Sequence, residues 1–252
     1  MAILIMPIPG VPAIQPGDDL GEILVSAIEG ARVGAKAGDI LVVCQKVVSK
    51  AEGRVVALSS VEPSPFAAEW AARHEKDPRV VELVLRESKR IVRMDRGNLI
   101  VETGPGWVCA NAGIDQSNAL AEDTVTLLPL DPDASAERLR ATLGQRLGVD
   151  IAVIVTDTFG RPWREGQVEF ALGVAGLAPL DDLRGKNDLV GRELGVTVIG
   201  TADQLACAAG LAMRKDAGLP AILIRGHESS GGPADGRGGR ALIRPSENDL
   251  FR

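Results

Sequence analysis

The stretch Val149–Val155 (VDIAVIV) limits the fold of this chain most tightly, with five β-branched side chains and one charge in seven residues. An apolar run this short, bounded by Gly148 and by the polar Thr156-Asp157 pair, predicts a strand buried on both faces. Such a strand needs cover on each side, which calls for helices layered on a sheet. The flanking sequence supplies them. Ala2–Met6, Ile40–Gln45, Arg90–Met94, Leu99–Val101, Trp107–Ala110, Val125–Leu128, Val196–Ile199 and Ala221–Arg225 have strand-like patterns. Between them fall helical patterns: one capped by Asp18 and carrying Leu20, Ile23, Leu24, Ala27 and Ile28, and two more after Pro65 and Pro78. A further helix is capped by Ser135 and carries Leu139, Leu143 and Leu147, and an Ala-rich one runs from Thr201 to about Ala217. The fold class expected is α/β in the mixed α+β sense, as a single domain over 1–252. Pro129–Asp133 offers a point of division into two lobes, Phe170–Gly176 suits close packing, and the Gly-rich residues 229–240 read as a mobile loop or linker.

Composition narrows the function classes. Aromatic residues are 3% of the chain and tyrosine is absent, so platforms for stacking bases are scarce. The formal charge of −6 lacks the basic field that duplex binding needs, and nucleic acid is not an expected partner. No window approaches the roughly 18 apolar residues of a membrane span, and Met1–Met6 lacks the basic start of a signal peptide. Cys44, Cys109 and Cys207 are widely spaced and odd in number, which fits buried thiols in a reducing cytoplasm. The only histidines are His74 and His227, too few for an imidazole-rich zinc site. A metal here must be held by oxygen, which selects Mg²⁺ or Mn²⁺.

The phosphate-binding GxxxxGK[ST] and GxGxxG signatures and the GxSxG nucleophile elbow are all absent. What stands out is VTDTFGRPWREGQ, residues 155–167. With the buried strand ending at Thr156, Asp157 and Thr158 fall where sheets commonly form a ligand crevice. Asp157 can ligate a hard cation and Thr158 can add an oxygen, while Arg161 and Arg164 can neutralise phosphates. The plainer account is an Asx-turn with surface arginines. NAGIDQSN, residues 111–118, adds Asp115 as a second carboxylate, with Ser117 and Asn118 as polar contacts, although a simple turn accounts for it equally well. In CQKVVSKAEGR, residues 44–54, Lys46 and Lys50 are either phosphate-binding charges or a solvated face, and Gln45 is a further polar contact. The loop Gly10–Ile14 could wall a base or ribose.

Taken together, GVPAIQPGDDL, VVCQKVVSKAEGR, NAGIDQSN, PLDPDASAERLR, VTDTFGRPWREGQ and GRELGVTV resemble, in order, the coenzyme F420-0:L-glutamate ligase family, from residue 7 to about 226. The resemblance implies a family-specific fold with mixed sheets and flanking helices, assembled as a homodimer. It implies GTP-dependent addition of L-glutamate through γ-linkages to the deazaflavin coenzyme F420-0, through an acyl phosphate, with Mg²⁺ or Mn²⁺ and with K⁺ as a candidate additional ion. By motif, Asp115, Asp157 and Thr158 correspond to metal ligands, and Val11, Pro12, Ala13, Ile14, Gln45, Lys50 and Asn118 to GTP contacts. Lys46, Lys50, Arg161 and Arg164 are candidate clamps on phosphates or acidic substrates. The final PSENDLFR resembles the point where some bacterial relatives continue into a reductase-like domain, which is not expected here. Arg214 and Lys215, where archaeal relatives tend to place a Gly-rich acidic stretch, resemble a stand-alone bacterial-type member. Gln204 stands where Glu is usual, which bears on how many metal ions are held.

Overall fold

A five-stranded sheet of order β1-β12-β2-β8-β9 forms the centre of the computed structural model, which describes residues 2–117, 121–213, 217–228 and 238–249. The chain enters through β1 (Leu4–Pro7) and, after a loop, forms α1 (Leu20–Gly30), capped by Asp19, whose carboxylate accepts the Glu22 N–H. The cap is thus one residue later than Asp18, whose Oδ2 instead accepts the Gln15 N–H at 2.7 Å and closes the preceding turn. Next come β2 (Ile40–Cys44) and, without a break, α2 (Gln45–Ala51). The strand expected through Gln45 therefore stops one residue early, and the lysines that follow lie on a helix.

The chain then leaves this sheet for a second lobe. That lobe holds β3 (Val55–Ala57), α3 (Pro65–His74), α4 (Pro78–Arg86), β4 (Ser88–Asp95), β5 (Asn98–Thr103), β6 (Val108–Ala110) and β7 (Thr124–Thr126). Both helices follow the Pro-led pattern, with Ser64 and Asp77 as their caps. β3 pairs with β7, and β4-β5-β6 form a separate sheet. Trp70, Val84, Leu99 and Val101 fill one core of this lobe, and Leu58, Leu83, Val125 and Leu127 another. Residues 128–131 carry the chain back, so the Pro/Asp stretch marks the return connection.

α5 (Pro132–Leu147) opens with Pro132 behind Asp131, the true cap, whose carboxylate accepts the Ala134 N–H. Ser135 lies inside the first turn instead, with its hydroxyl 2.6 Å from Glu52 and 3.0 Å from the Asp131 carbonyl. After it come β8 (Ala152–Arg161), β9 (Arg164–Ala175), β10 (Asp181–Asp182), β11 (Val198–Ile199), α6 (Thr201–Gly210) and β12 (Ala221–Arg225). β10 and β11 close a short hairpin, and α6 ends at Gly210, before Ala217. Residues 229–237 of the Gly-rich segment lie outside the described residues, whereas Gly238–Leu242 form a 3-10 turn.

β2 and β8 are parallel neighbours, and every other pairing in the central sheet is antiparallel. Leu41, Val43, Val153 and Val155 face α1 and α5, packing on Leu24, Ile28 and Leu143. Ile40, Val42, Ile154, Ile222 and Ile224 face α6 and its Ala202, Leu205 and Ala209. The strand read as Val149–Val155 begins only at Ala152, after the exposed Asp150, but from Ala152 to Val155 it is buried on both faces, and the mixed α/β class holds. It does not end at Thr156, however. β8 continues to Arg161 because β9 folds back along it through the turn at Pro162-Trp163, pairing Thr158 with Glu169 and Arg161 with Arg164. A bulge sits where Val155 pairs with Gly173 but Thr156 with Ala171, and re-aims the side chains that follow.

Candidate active site

The parallel pair β2 and β8 ends on the same side of the sheet, where the carboxyl ends of strands commonly leave a ligand crevice. A cleft of about 300 Å³ opens there. The loop after β1 lines it with Val11, Pro12, Ala13 and Ile14, and α2 with Lys46 and Lys50. β8 adds Asp157 and Thr158, β9 adds Glu169, the second lobe adds Asp115, and Gly218–Pro220 lead into β12 along its edge.

Asp115 is held by the second lobe through a short bridge. Its N–H donates to the Thr126 carbonyl and its carbonyl accepts the Thr126 N–H, both at 2.9 Å. The approach is tight, because Asn111, Ala112 and Gly113 all have positive φ, at 51°, 54° and 68°. A non-glycine residue in that region is strained, and runs of such residues concentrate at functional sites. The Asp115 carboxylate accepts from Lys46 Nζ at 2.6 Å and from the Ser117 N–H and hydroxyl at 2.6 and 2.7 Å. Lys46 also donates to the Ser117 carbonyl at 2.8 Å. Burial pushes the Asp115 carboxyl up, but these donors outweigh it and hold the group below its ordinary value.

Asp157 sits in the opposite balance. Burial pushes its pKa up to about 7, and the charges of Glu169 and Asp115 add to the rise, while the Thr158 N–H and Gln45 oppose it. Burial likewise lowers Lys50, with Lys46 adding repulsion and Asp115 opposing it. Burial raises the Cys44 thiol at the cleft wall to about 12, which suits a small apolar filler and not a nucleophile.

The sequence-derived set divides accordingly. The cleft gathers Val11, Pro12, Ala13, Ile14, Lys46, Lys50, Asp115, Asp157 and Thr158. Gln45 is fully buried behind the cleft, close enough to Asp157 for its side chain to help hold that carboxyl down. Its Oε1 accepts the Ser49 hydroxyl at 2.8 Å, and its Nε2 has no partner at hydrogen-bond distance. Arg161 and Arg164 do not line the cleft; they flank the β8–β9 turn, where Arg161 reaches the Gly166 carbonyl at 3.4 Å. The extension of β8 beyond Thr156 carries them there. Asn118, Arg214 and Lys215 lie outside the described residues. Gln204 lies on α6.

Glu169 is the cleft carboxylate that sequence reasoning missed. Thr158 donates to its Oε1 at 2.7 Å, and Thr156 Oγ1 stands 2.9 Å from its Oε2. A charged residue interrupting the otherwise apolar VEFALGV run was the available signal.

A divalent cation fits this donor set. Oxygen ligands dominate it, and the Asp157 carboxyl, raised first by burial and then by the charges of Glu169 and Asp115, stands where a hard cation would favour its ionised form. Among the described residues no three His, Cys, Asp or Glu side chains group closely enough to cage an ion unaided. That matches an ion bound through one or two carboxylates, with phosphates and water completing its shell.

A family profile described as F420-0:Gamma-glutamyl ligase matches residues 10–226. The chain is 45% identical to the coenzyme F420:L-glutamate ligase of Methanothermobacter thermautotrophicus over 253 residues, covering 100% of both chains. It is 47% identical to that of Methanopyrus kandleri, covering 98% of this chain and 97% of the relative. With that of Archaeoglobus fulgidus the identity is 44%, covering 100% and 97%. These three relatives are archaeal and span this chain almost end to end, so the bacterial-type resemblance has no counterpart among them.

Proposed function

The chain belongs to the F420-0:gamma-glutamyl ligase family and is a ligase of coenzyme F420 biosynthesis that joins L-glutamate to F420-0; from that premise we propose that it uses GTP and Mg²⁺ or Mn²⁺. The observation that carries the proposal is the meeting of Asp115, Asp157 and Thr158 with Lys46 and Lys50 in one cleft beside the Val11–Ile14 loop.

A carboxylate does not condense with an amine at neutral pH because its leaving group is poor. In this reading the F420-0 carboxylate attacks the γ-phosphate of GTP, GDP leaves, and an acyl phosphate forms. The glutamate amine then attacks the acyl carbon, phosphate departs and the amine loses a proton. A bound divalent cation supplies charge stabilisation to the transferring phosphoryl group. Asp157 and Asp115 would hold that cation, with the Thr158 oxygen beside them. Lys50 would offer its ammonium to phosphate oxygens, while Lys46 spends its donors on Asp115 and Ser117 and so fixes that carboxylate; both stand on α2, directly after β2. The Val11–Ile14 loop gives the nucleotide an apolar wall. K⁺ remains a candidate additional ion on the strength of the resemblance.

Homodimerisation belongs to the same reading. Trp163 at the β8–β9 turn is 79% exposed, and Leu189, Val190 and Val196 on the β10–β11 hairpin are 107%, 77% and 89% exposed. Projecting apolar side chains on two hairpins suit burial against a second copy. Among the described residues no helix is long and apolar enough to cross a membrane. Cys44, Cys109 and Cys207 are free thiols, which suits the reducing cytoplasm of the same reading.

Mass spectrometry of protein incubated with F420-0, L-glutamate, GTP and Mn²⁺ tests the proposal. The expected product is heavier by one or more glutamyl units and depends on both nucleotide and metal. Product formed with ATP alone, or after chelation of all divalent ions, would remove that part of the reading.

A further inference from the structure

Glu169 lines the cleft, yet the proposed reaction gives it no task. Its carboxylate lies across the β8–β9 ladder from Thr158, its direct cross-strand partner. Thr158 Oγ1 donates to Oε1 at 2.7 Å, and Thr156 Oγ1 lies 2.9 Å from Oε2 and 2.8 Å from the Phe170 carbonyl. α6 closes the other side. A Cβ on Gly210 would stand 2.7 Å from the Glu169 Cγ, and Cys207 Sγ donates to the Glu169 carbonyl at 3.1 Å. The side chain therefore occupies a slot that only a glycine on α6 leaves open.

A threonine hydroxyl has one proton to donate and lone pairs to offer. To serve a cation, it must send its proton elsewhere. A carboxylate is the strongest acceptor available, and a ligand held by such an outer partner keeps its lone pairs aimed at the ion. Both Glu169 oxygens face threonine hydroxyls, and among the described residues the carboxylates do not form a ready three-membered cage. A role through Thr158 therefore accounts for Glu169 better than direct ligation.

We propose that Glu169 is a positioning residue that accepts the hydrogen bond of the Thr158 hydroxyl and so directs that oxygen's lone pairs to the divalent cation at Asp157, with Gly210 keeping its slot clear. The inference rests on the metal reading of the cleft given above.

Calorimetric titration of the full chain with Mn²⁺ in the presence of saturating GDP tests it, alongside thermal melting of the metal-free proteins. Wild type should bind, and Asp157→Asn should lose binding. Glu169→Ala should weaken Mn²⁺ binding about 10- to 100-fold. Glu169→Gln should weaken it less, because its amide oxygen still accepts from Thr158. Gly210→Ala should weaken binding in the wild-type background but not in the Glu169→Ala background, where the slot is empty. The Mn²⁺ concentration for half-maximal ligase activity should rise by the same factor. Should Glu169→Ala fail to fold, Gly210→Ala carries the test, since alanine favours a helix. Unchanged Mn²⁺ affinity in Glu169→Ala, or a Gly210→Ala effect that persists without Glu169, would overturn the proposal alone. Failure of wild type to bind Mn²⁺ would overturn the metal reading and this inference with it.

Discussion

Asp39 and Arg225 lock the central sheet at the end opposite the cleft, and cutting that lock is a quantitative test of how the site is supported. Asp39 precedes β2 and is 1% exposed, while Arg225 closes β12 with its side chain 20% exposed. The guanidinium grips the carboxylate with two bonds, Nε to Oδ1 at 2.8 Å and Nη2 to Oδ2 at 2.6 Å, and the Lys36 N–H donates to Oδ2 at 2.8 Å. Asp39→Ala strands a largely buried guanidinium and an N–H together. Breaking a buried pair from one side costs about 3–5 kcal/mol. The partial exposure of Arg225 and its remaining bonds to the Val33 and Gly34 carbonyls favour the lower end, about 3 kcal/mol. In a chain of this size each kcal/mol moves the melting temperature by about 2–4 °C, so the drop should be about 6–12 °C by circular dichroism. Asp39→Ala/Arg225→Met should recover part of the loss, because no unpaired charge remains buried. Ligation well below the melting temperature should be near normal, since the pair lies at the far ends of β2 and β12 from Cys44 and Pro220. A single-variant drop under about 2 °C would refute the reasoning, because a buried bidentate pair cannot be removed so cheaply.

Asp157→Asn should lower glutamate addition by at least about 10²-fold in the mass-spectrometric assay while leaving the fold intact, and near-normal turnover would remove Asp157 from the site. Gly113→Ala combines a φ of 68° with a Cβ 2.8 Å from the Leu128 side chain, so it should cost about 1–3 kcal/mol in denaturant melts and weaken activity through the Asp115 loop. Glu82 is held down to about 2 by Ser64 and Arg86, from an ordinary 4.5. A carboxylate depressed in the folded state adds stability above its unfolded pKa and loses it as pH falls through the folded one. The advantage of wild type over Glu82→Gln should thus be full above about pH 4.5 and shrink towards pH 2. An advantage that does not vary with pH would contradict the Glu82 contacts.

Much of the fold was legible because its cues are local. Val149–Val155 announces a strand covered on both sides by being apolar without alternation, and its part from Ala152 onward lies between β2 and β9 as that pattern requires. Pro65 and Pro78 mark helix starts because proline fits a first turn whose N–H needs no partner. The errors were errors of competition between neighbours. Asp18 and Asp19 are equally good caps by residue type, but the Asp18 carboxylate is taken by the Gln15 N–H of the preceding turn, and Asp19 caps the helix. Ser135 lost its cap to Asp131 because Pro132 opens the helix three residues earlier.

The site divides along the same line. Asp115, Asp157 and Thr158 lie in short segments crowded with turn-forming and polar residues, where local sequence carries the signal. Glu169 and Gln45 do not. Glu169 acquires its meaning only when β9 pairs with β8, and that register depends on where the chain reverses. The reversal is at Pro162-Trp163, with Trp163 at a φ of 59° where a glycine would ordinarily mark the turn. A reader expecting the strand to stop at Thr156 therefore places Arg161 and Arg164 near the chemistry and leaves Glu169 in the core. Moving the reversal to residue 162 exchanges those roles. The arginines travel out along the hairpin, and the carboxylate thirteen residues after Thr156 returns to face it. Gln45 is the first residue of α2 and not the last of β2, so its amide oxygen turns against Ser49 while the side chain stays beside Asp157.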